Sequence, residues 1–187
     1  MKHEQVYQLS LAGLLTGLIL TSTMMFRIPM PFTNGYVHLG DTMIFLAVIV
    51  LGKKYGCLAA GVGSALADLL AGYTHYVPWT FVIKAVMAFM IGIALEHFAE
   101  NKTSGKHSAN EHPIKVRLLE AVALIPAGLE MIAGYYVAAS LMRGNWVTPL
   151  FSVPGNIAQY IVCAVIAALL AAALKQTSAR RYFAIHM

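Results

Sequence analysis

Apolar residues dominate six stretches of the chain, at about 5–26, 39–52, 55–72, 79–97, 114–142 and 153–175, with polar residues gathered between them. Roughly 20 apolar residues carry a helix across a hydrocarbon core about 30 Å thick. The pattern therefore predicts an all-α integral membrane protein with six transmembrane helices, forming a single domain over residues 1–187. The second stretch is short for a full crossing, so its helix is expected to begin deeper in the membrane or to be extended at its N-terminal end. Between the first two stretches lies "RIPMPFTNGYVH", residues 27–38, whose Pro and Gly predict a connection that is not helical throughout. A long loop of mixed aromatic and polar residues often covers a site. The basic start and apolar run of the N-terminus imitate a signal peptide. The run is too long for a signal core, though, and no small-residue cleavage site precedes "RIPMPF", which predicts a permanent first helix.

Composition strengthens the membrane reading: 59% of residues are hydrophobic and 11% charged, against about half and about a quarter in soluble domains. The net charge of +5 invites a nucleic-acid reading, but its placement argues for topology instead. Lys2, Lys53, Lys54, Lys102, Lys106, Lys115, Arg117, Lys175, Arg180 and Arg181 fall on one side, and only Arg27 and Arg143 on the other. That asymmetry predicts cytoplasmic termini and a cytoplasmic loop at about 98–113, containing "ENKTSGKHSANEHP". The histidines of that loop read as solvated, not metal-binding. Cys57 and Cys163 lie in apolar stretches without metal-type spacing and read as buried thiols.

This orientation assigns a depth to each intramembrane polar residue. Asp41 opens the second helix, Asp68 lies near the end of the third, and Asn156 and Gln159 enter the sixth. Lys84 sits five residues into the fourth, about 8 Å below its outer end. All share the outer third of the membrane, where His38, His75, Tyr73, Tyr76 and Trp79 join them. An unpaired charge in hydrocarbon costs several kcal/mol, so such residues face a bundle interior or a wet cavity. The expectation is a pocket that opens outward beneath the long first loop, with Lys84 paired to Asp68 or Asp41. A purely structural ion pair is the plain alternative. Glu130 lies deeper, as a pocket floor or as another partner for Lys84. The candidate binding residues are thus His38, Asp41, Asp68, His75, Tyr76, Trp79, Lys84, Glu130, Asn156 and Gln159.

Small residues at four-residue spacing let helices approach closely. Gly56, Ala60, Gly63 and Ala67 predict internal packing of the third helix. Ala12, Gly13, Thr16 and Gly17 in "LAGLLTG" leave two uses open, internal packing or a separate membrane protein. No phosphate-binding G-x-x-x-x-G-K-[ST] loop, H-E-x-x-H or G-x-S-x-G occurs, so no catalytic residue, metal or cofactor is expected. A stand-alone channel or proton-coupled carrier is the main rival class, prompted by Lys84, Asp68 and Glu130. An intramembrane enzyme is the other, prompted by His38, His75 and the aspartates.

Several elements carry a family resemblance: "HLGD" at 38–41, G-x-K-Y-G at 52–56, G-x-G-S-A-L-A-D-L-L-x-G-Y at 61–73, P-x-T-x-x-I-K at 78–84 and "VPGNIAQ" at 153–159. Together they resemble the substrate-binding S components of energy-coupling factor (ECF) vitamin transporters, of the riboflavin, pyridoxine and hydroxymethylpyrimidine type. The resemblance implies a six-helix, multi-pass protein of the bacterial cell membrane that captures a B-vitamin or precursor from outside. Its implied partners are a T component and two ATPases, with ATP used only in those subunits and no nucleic acid involved. It also implies that small residues of the first helix, here Ala12, Gly13, Thr16 and Gly17, dock the T component, and that the S component reorients in the membrane to deliver its ligand. The preferred ligand is a small heteroaromatic such as hydroxymethylpyrimidine or pyridoxine. Pantothenate, which Lys84 would favour, and riboflavin are the alternatives.

Overall fold

A computed structural model describes residues 3–30, 35–103 and 121–177. Helix α1 spans His3–Met25, α2 Gly40–Leu70, α3 Val77–Thr103, α4 Ile125–Arg143 and α5 Val153–Lys175. All five are long and apolar enough to cross a membrane. Prolines at the N-terminal turns of α4 and α5 (Pro126, Pro154) sit where a missing backbone donor does no harm. Residues 114–120 of the predicted fifth helix, and 104–113 of the predicted loop, lie outside the described residues. Residues 98–103, assigned to that loop from the sequence, continue α3.

The first connection is not helical, as its Pro and Gly predict, but it forms strands, which the all-α expectation did not include. Strands β1 (Arg27–Met30) and β2 (Gly35–His38) pair antiparallel, with Arg27 opposite His38 and Met30 opposite Gly35. Pro29 is tolerated because a two-stranded ribbon is all edge.

The two predicted helices at 39–52 and 55–72 occur as one run, α2, interrupted only at Gly52, whose φ of 72° and ψ of 178° are non-helical. That combination is nearly exclusive to glycine. The chain folds back there: a Cβ on Gly56 would lie 2.9 Å from the Cα of Val48. In a straight helix, residues eight apart would be about 12 Å apart. Glu96 of α3 holds the fold-back, its Oε1 accepting the Lys53 backbone N–H at 3.3 Å and its Oε2 lying 2.7 Å from Lys53 Nζ. The arm before Gly52 is about 18 Å long, too short to cross a bilayer by itself.

Gly63 of α2 packs on the Thr16 carbonyl and Ile19 of α1, and Gly56, Ala60, Gly63 and Ala67 are all buried, as their spacing predicts. Cys163 is buried, but Cys57 is only half-buried. The core gathers Ile19, Ile44, Val48, Met87, Ile91 and Met131, while Leu14, Leu58, Leu129, Val165 and Leu169 stand exposed. Exposed aliphatic residues along every long helix are what a lipid-facing surface requires.

Gly52→Ala is expected to destabilise the protein by about 1–3 kcal/mol, since alanine is strained at that φ. Gly56→Val should destabilise it through the clash with Val48. Gly17→Ala is the control, because a Cβ there meets nothing within 4 Å. Thermal unfolding in detergent checks all three; an unchanged Gly52→Ala melting point would remove the hinge argument.

Candidate functional site

The fold-back returns the end of α2 to the level of its start. The site therefore forms at one end of the bundle, where the β-ribbon, both ends of α2, the start of α3, the end of α4 and the start of α5 meet.

Its inner layer is polar and buried. Lys84 on α3 and Asp41 on α2 are both fully buried, with Nζ 2.7 and 2.8 Å from the two carboxylate oxygens. Met131 Sδ lies 3.2 Å from the same ammonium, and the Tyr135 ring centroid 5.3 Å away. Gln159 of α5 donates from Nε2 to Asp41 Oδ2 at 2.7 Å, and its Oε1 accepts the His38 backbone N–H at 2.9 Å. The Cys163 thiol donates to the His38 carbonyl. The charges thus compensate each other inside the protein, as buried ions must.

The outer layer encloses a cavity of about 550 Å³, its open side included. The β-ribbon contributes Met30, Tyr36 and His38. Asp68, Tyr73 and Tyr76 come from the end of α2 and the turn after it. Tyr135 and Ala139 come from α4, and Ser152, Asn156 and Gln159 from the start of α5. Tyr36 donates its hydroxyl to Asp68 Oδ1 at 2.6 Å and stacks at a tilt on Tyr73, centroids 5.0 Å apart. Thr80 also bonds the Asp68 carboxylate, and Tyr135 donates to Thr80 at 3.3 Å. Burial and the adjacent Asp68 carboxylate both push the Tyr36 phenol up, so it remains a donor. Two cations touch residues of this wall: the Arg27 guanidinium lies 5.7 Å from the Tyr36 ring centroid, and Arg143 bonds Tyr76.

Of the ten binding candidates, His38, Asp68, Tyr76, Asn156 and Gln159 line the cavity. Asp41 and Lys84 stand behind its wall, held by each other. His75 is exposed and packs on Tyr76, and Trp79 is exposed beside the turn; neither lines the cavity. Glu130 is half-buried and does not line it, and its Oε2 has no hydrogen-bond partner among the described residues. On α1, Gly13 and Gly17 are exposed with open space around them. Ala12 is buried, and Thr16 is half-buried with its hydroxyl on the Ala12 carbonyl. Among the described residues, no three potential metal ligands converge.

Tyr36 and Tyr135 escaped the sequence reading. Tyr36 was recoverable, since it lies two residues before His38 and strand residues two apart share a face. Tyr135 gave no such signal, because nothing in the sequence marks Met131, its helical neighbour four residues earlier, as a contact of Lys84.

The chain matches the family model described as "ECF-type riboflavin transporter, S component" over residues 3–176. It is 33% identical to an uncharacterized protein of the gap 3′ region of Pyrococcus woesei, over 67% of this chain and 74% of that one. The thiamine precursor transporter HmpT of Lactococcus lactis subsp. cremoris is 24% identical, over 95% of this chain and 93% of that one. Among solved structures, the S component of a bacterial ECF transporter superposes with TM-score 0.65 at 17% identity, covering 92% and 97% of the two chains. The S component for biotin from an ECF-type ABC transporter gives 0.61 at 20%, covering 98% of each.

Lys84→Met alone is expected to lose about 3–5 kcal/mol, because it strands a buried carboxylate, and adding Asp41→Asn should restore much of that loss. Chemical unfolding of Lys84→Met, Asp41→Asn and the double variant checks this; a double-variant loss equal to the sum of the two single losses would mean the pair is not coupled. Burial pushes the His38 imidazole from 6.5 down to about 4, with Lys84 adding to the effect and Asp41 opposing it. Below pH 6.5 the unfolded chain therefore binds a proton that the folded ring refuses. Stability from this group should be constant above about pH 6.5 and decline as pH falls toward 4, a slope that His38→Gln removes.

Proposed function

We propose a function from one premise: the chain belongs to the family of ECF-type riboflavin transporter S components. It is a membrane-embedded subunit of a vitamin transporter and not an enzyme. In this reading it binds a small heteroaromatic vitamin or precursor, a hydroxymethylpyrimidine first among the candidates. The observation that carries the reading is the cavity itself, with tyrosine rings for stacking and the Asp68 carboxylate and Asn156 amide on its wall. Mostly apolar pockets with a few placed polar groups are the usual form of small-molecule sites. The thiamine precursor transporter of Lactococcus lactis, matched over nearly the whole chain, supports the pyrimidine choice. Pairing of Lys84 with Asp41 argues against pantothenate, because the buried cation that would receive its carboxylate is already neutralised. Riboflavin is the second reading, favoured by the name of the family model.

In this reading the two arms of α2 count as separate passes, the short arm before Gly52 reaching only part of the way through the bilayer, which makes six passes in all. The basic residues then put the termini in the cytoplasm and open the cavity to the exterior, with the β-ribbon at its mouth. A T component and two ATPases complete the transporter, and the S component reorients against them to release its ligand inward. The exposed Gly13 and Gly17 face of α1 is the docking surface, with Ala12 and Thr16 supporting it from within.

Calorimetry on purified protein should find nanomolar to low-micromolar binding of one ligand among hydroxymethylpyrimidine, pyridoxine, riboflavin and pantothenate. Silence across the panel would sink the reading. Asp68→Asn is expected to weaken that binding at least tenfold, about 1.4 kcal/mol. Gly13→Leu or Gly17→Leu should leave binding intact but abolish co-purification with the T component and ATPases; retained assembly places docking elsewhere. Uptake into liposomes that contain this chain alone would favour a self-sufficient carrier.

A further inference from the structure

Hydrogen-bonding groups left unused on the cavity wall define an orientation as well as a volume. Gly40 donates its backbone N–H to His38 Nδ1 at 3.1 Å. A ring nitrogen that accepts a bond carries its lone pair there, so the neutral imidazole holds its proton on Nε2. Rotation of the ring would break that bond. The backbone of His38 is also fixed at both ends of the residue, by Gln159 at its N–H and by Cys163 at its carbonyl. Nε2–H has no partner among the described residues, and His38, only 9% exposed, belongs to the cavity wall. The Asn156 amide, 6% exposed, is equally uncommitted. Asp68 can only accept once ionised, while Gln159 spends both ends of its amide on Asp41 and His38.

We propose that His38 is a specificity-determining residue whose Nε2–H donates to an unprotonated ring nitrogen of the ligand. The cavity would thus select flat rings that carry such an acceptor together with an amino or hydroxyl donor for Asp68. This deepens the vitamin-binding reading and rests on it. A ring with C–H at that position leaves the buried donor unsatisfied, the mismatch that discriminates most strongly between otherwise similar ligands. The competing account is that His38 merely caps the start of α2 through Nδ1.

Two variants separate these accounts. Asparagine can reproduce the Nδ1 acceptor without the distal donor, and glutamine can reproduce a donor near the Nε2 position. The probes are 4-amino-5-hydroxymethyl-2-methylpyrimidine and its two pyridine analogues, each with one ring nitrogen replaced by C–H, titrated calorimetrically. Wild type should bind one analogue at least about tenfold more weakly than the pyrimidine, a ratio that falls to within about twofold in His38→Asn and largely survives in His38→Gln. An unchanged ratio in His38→Asn overturns the proposal. Should that variant fail to fold, ¹⁵N NMR of the wild-type imidazole decides: the pyrimidine should shift Nε2 while leaving Nδ1 in place, and an unmoved Nε2 overturns it. A wild type that binds no vitamin at all defeats the function and this inference together. Equal binding of the pyrimidine and both analogues defeats the inference alone.

Discussion

The fully buried pair of Lys84 and Asp41 fixes more of this molecule than any other contact. Two ions removed from water are tolerable only when each is satisfied within the protein, and here one ammonium meets both oxygens of one carboxylate. The Gln159 amide extends the pair by bonding Asp41 with one end and the His38 backbone with the other. Three parts of the chain distant in sequence, the β-ribbon with the start of α2, α3 and α5, are thereby set in one register. The wall that faces the cavity is the outer surface of this network. The charges of Lys84 and Asp41 are already balanced, so the pair leaves no free cation behind the cavity wall.

A second constraint gives the two aspartates of α2 different work. Were the helix straight, Asp41 and Asp68 would stand about 40 Å apart. The reversal at Gly52, held by Glu96 on the Lys53 backbone, brings both to the same end of the bundle. Asp41 is enclosed with Lys84, while Asp68 reaches the cavity and accepts the Tyr36 hydroxyl. One residue type at two ends of one helix thus serves as buried counter-ion and as wall acceptor. The difference lies entirely in what surrounds each.

Fold and ligand are decided by different parts of the chain. Two solved S components share this architecture at 17% and 20% identity, one of them an S component for biotin. Apolar helices and small-residue contacts such as Gly63 on Ile19 suffice for the scaffold. What a cavity accepts depends on a few side chains at the helix ends and in the ribbon, and fold alone does not specify them.

The sequence by itself determined the membrane character and most helix limits, including the Val153–Lys175 limits of α5, because apolar length and flanking breakers are local properties. It also singled out the polar residues that collect at one end of the bundle, since charges inside apolar runs stand out and helix rise converts position into depth. Partner choice was decided only by tertiary structure. Lys84 could face Asp41 or Asp68 at similar depths, or the deeper Glu130, and the rotation and packing of the helices, which depth does not specify, selected Asp41. The same rotations turned Asn156 toward the cavity, left Trp79 and His75 outside it, and recruited Tyr36 through a ribbon whose pairing no helical periodicity encodes.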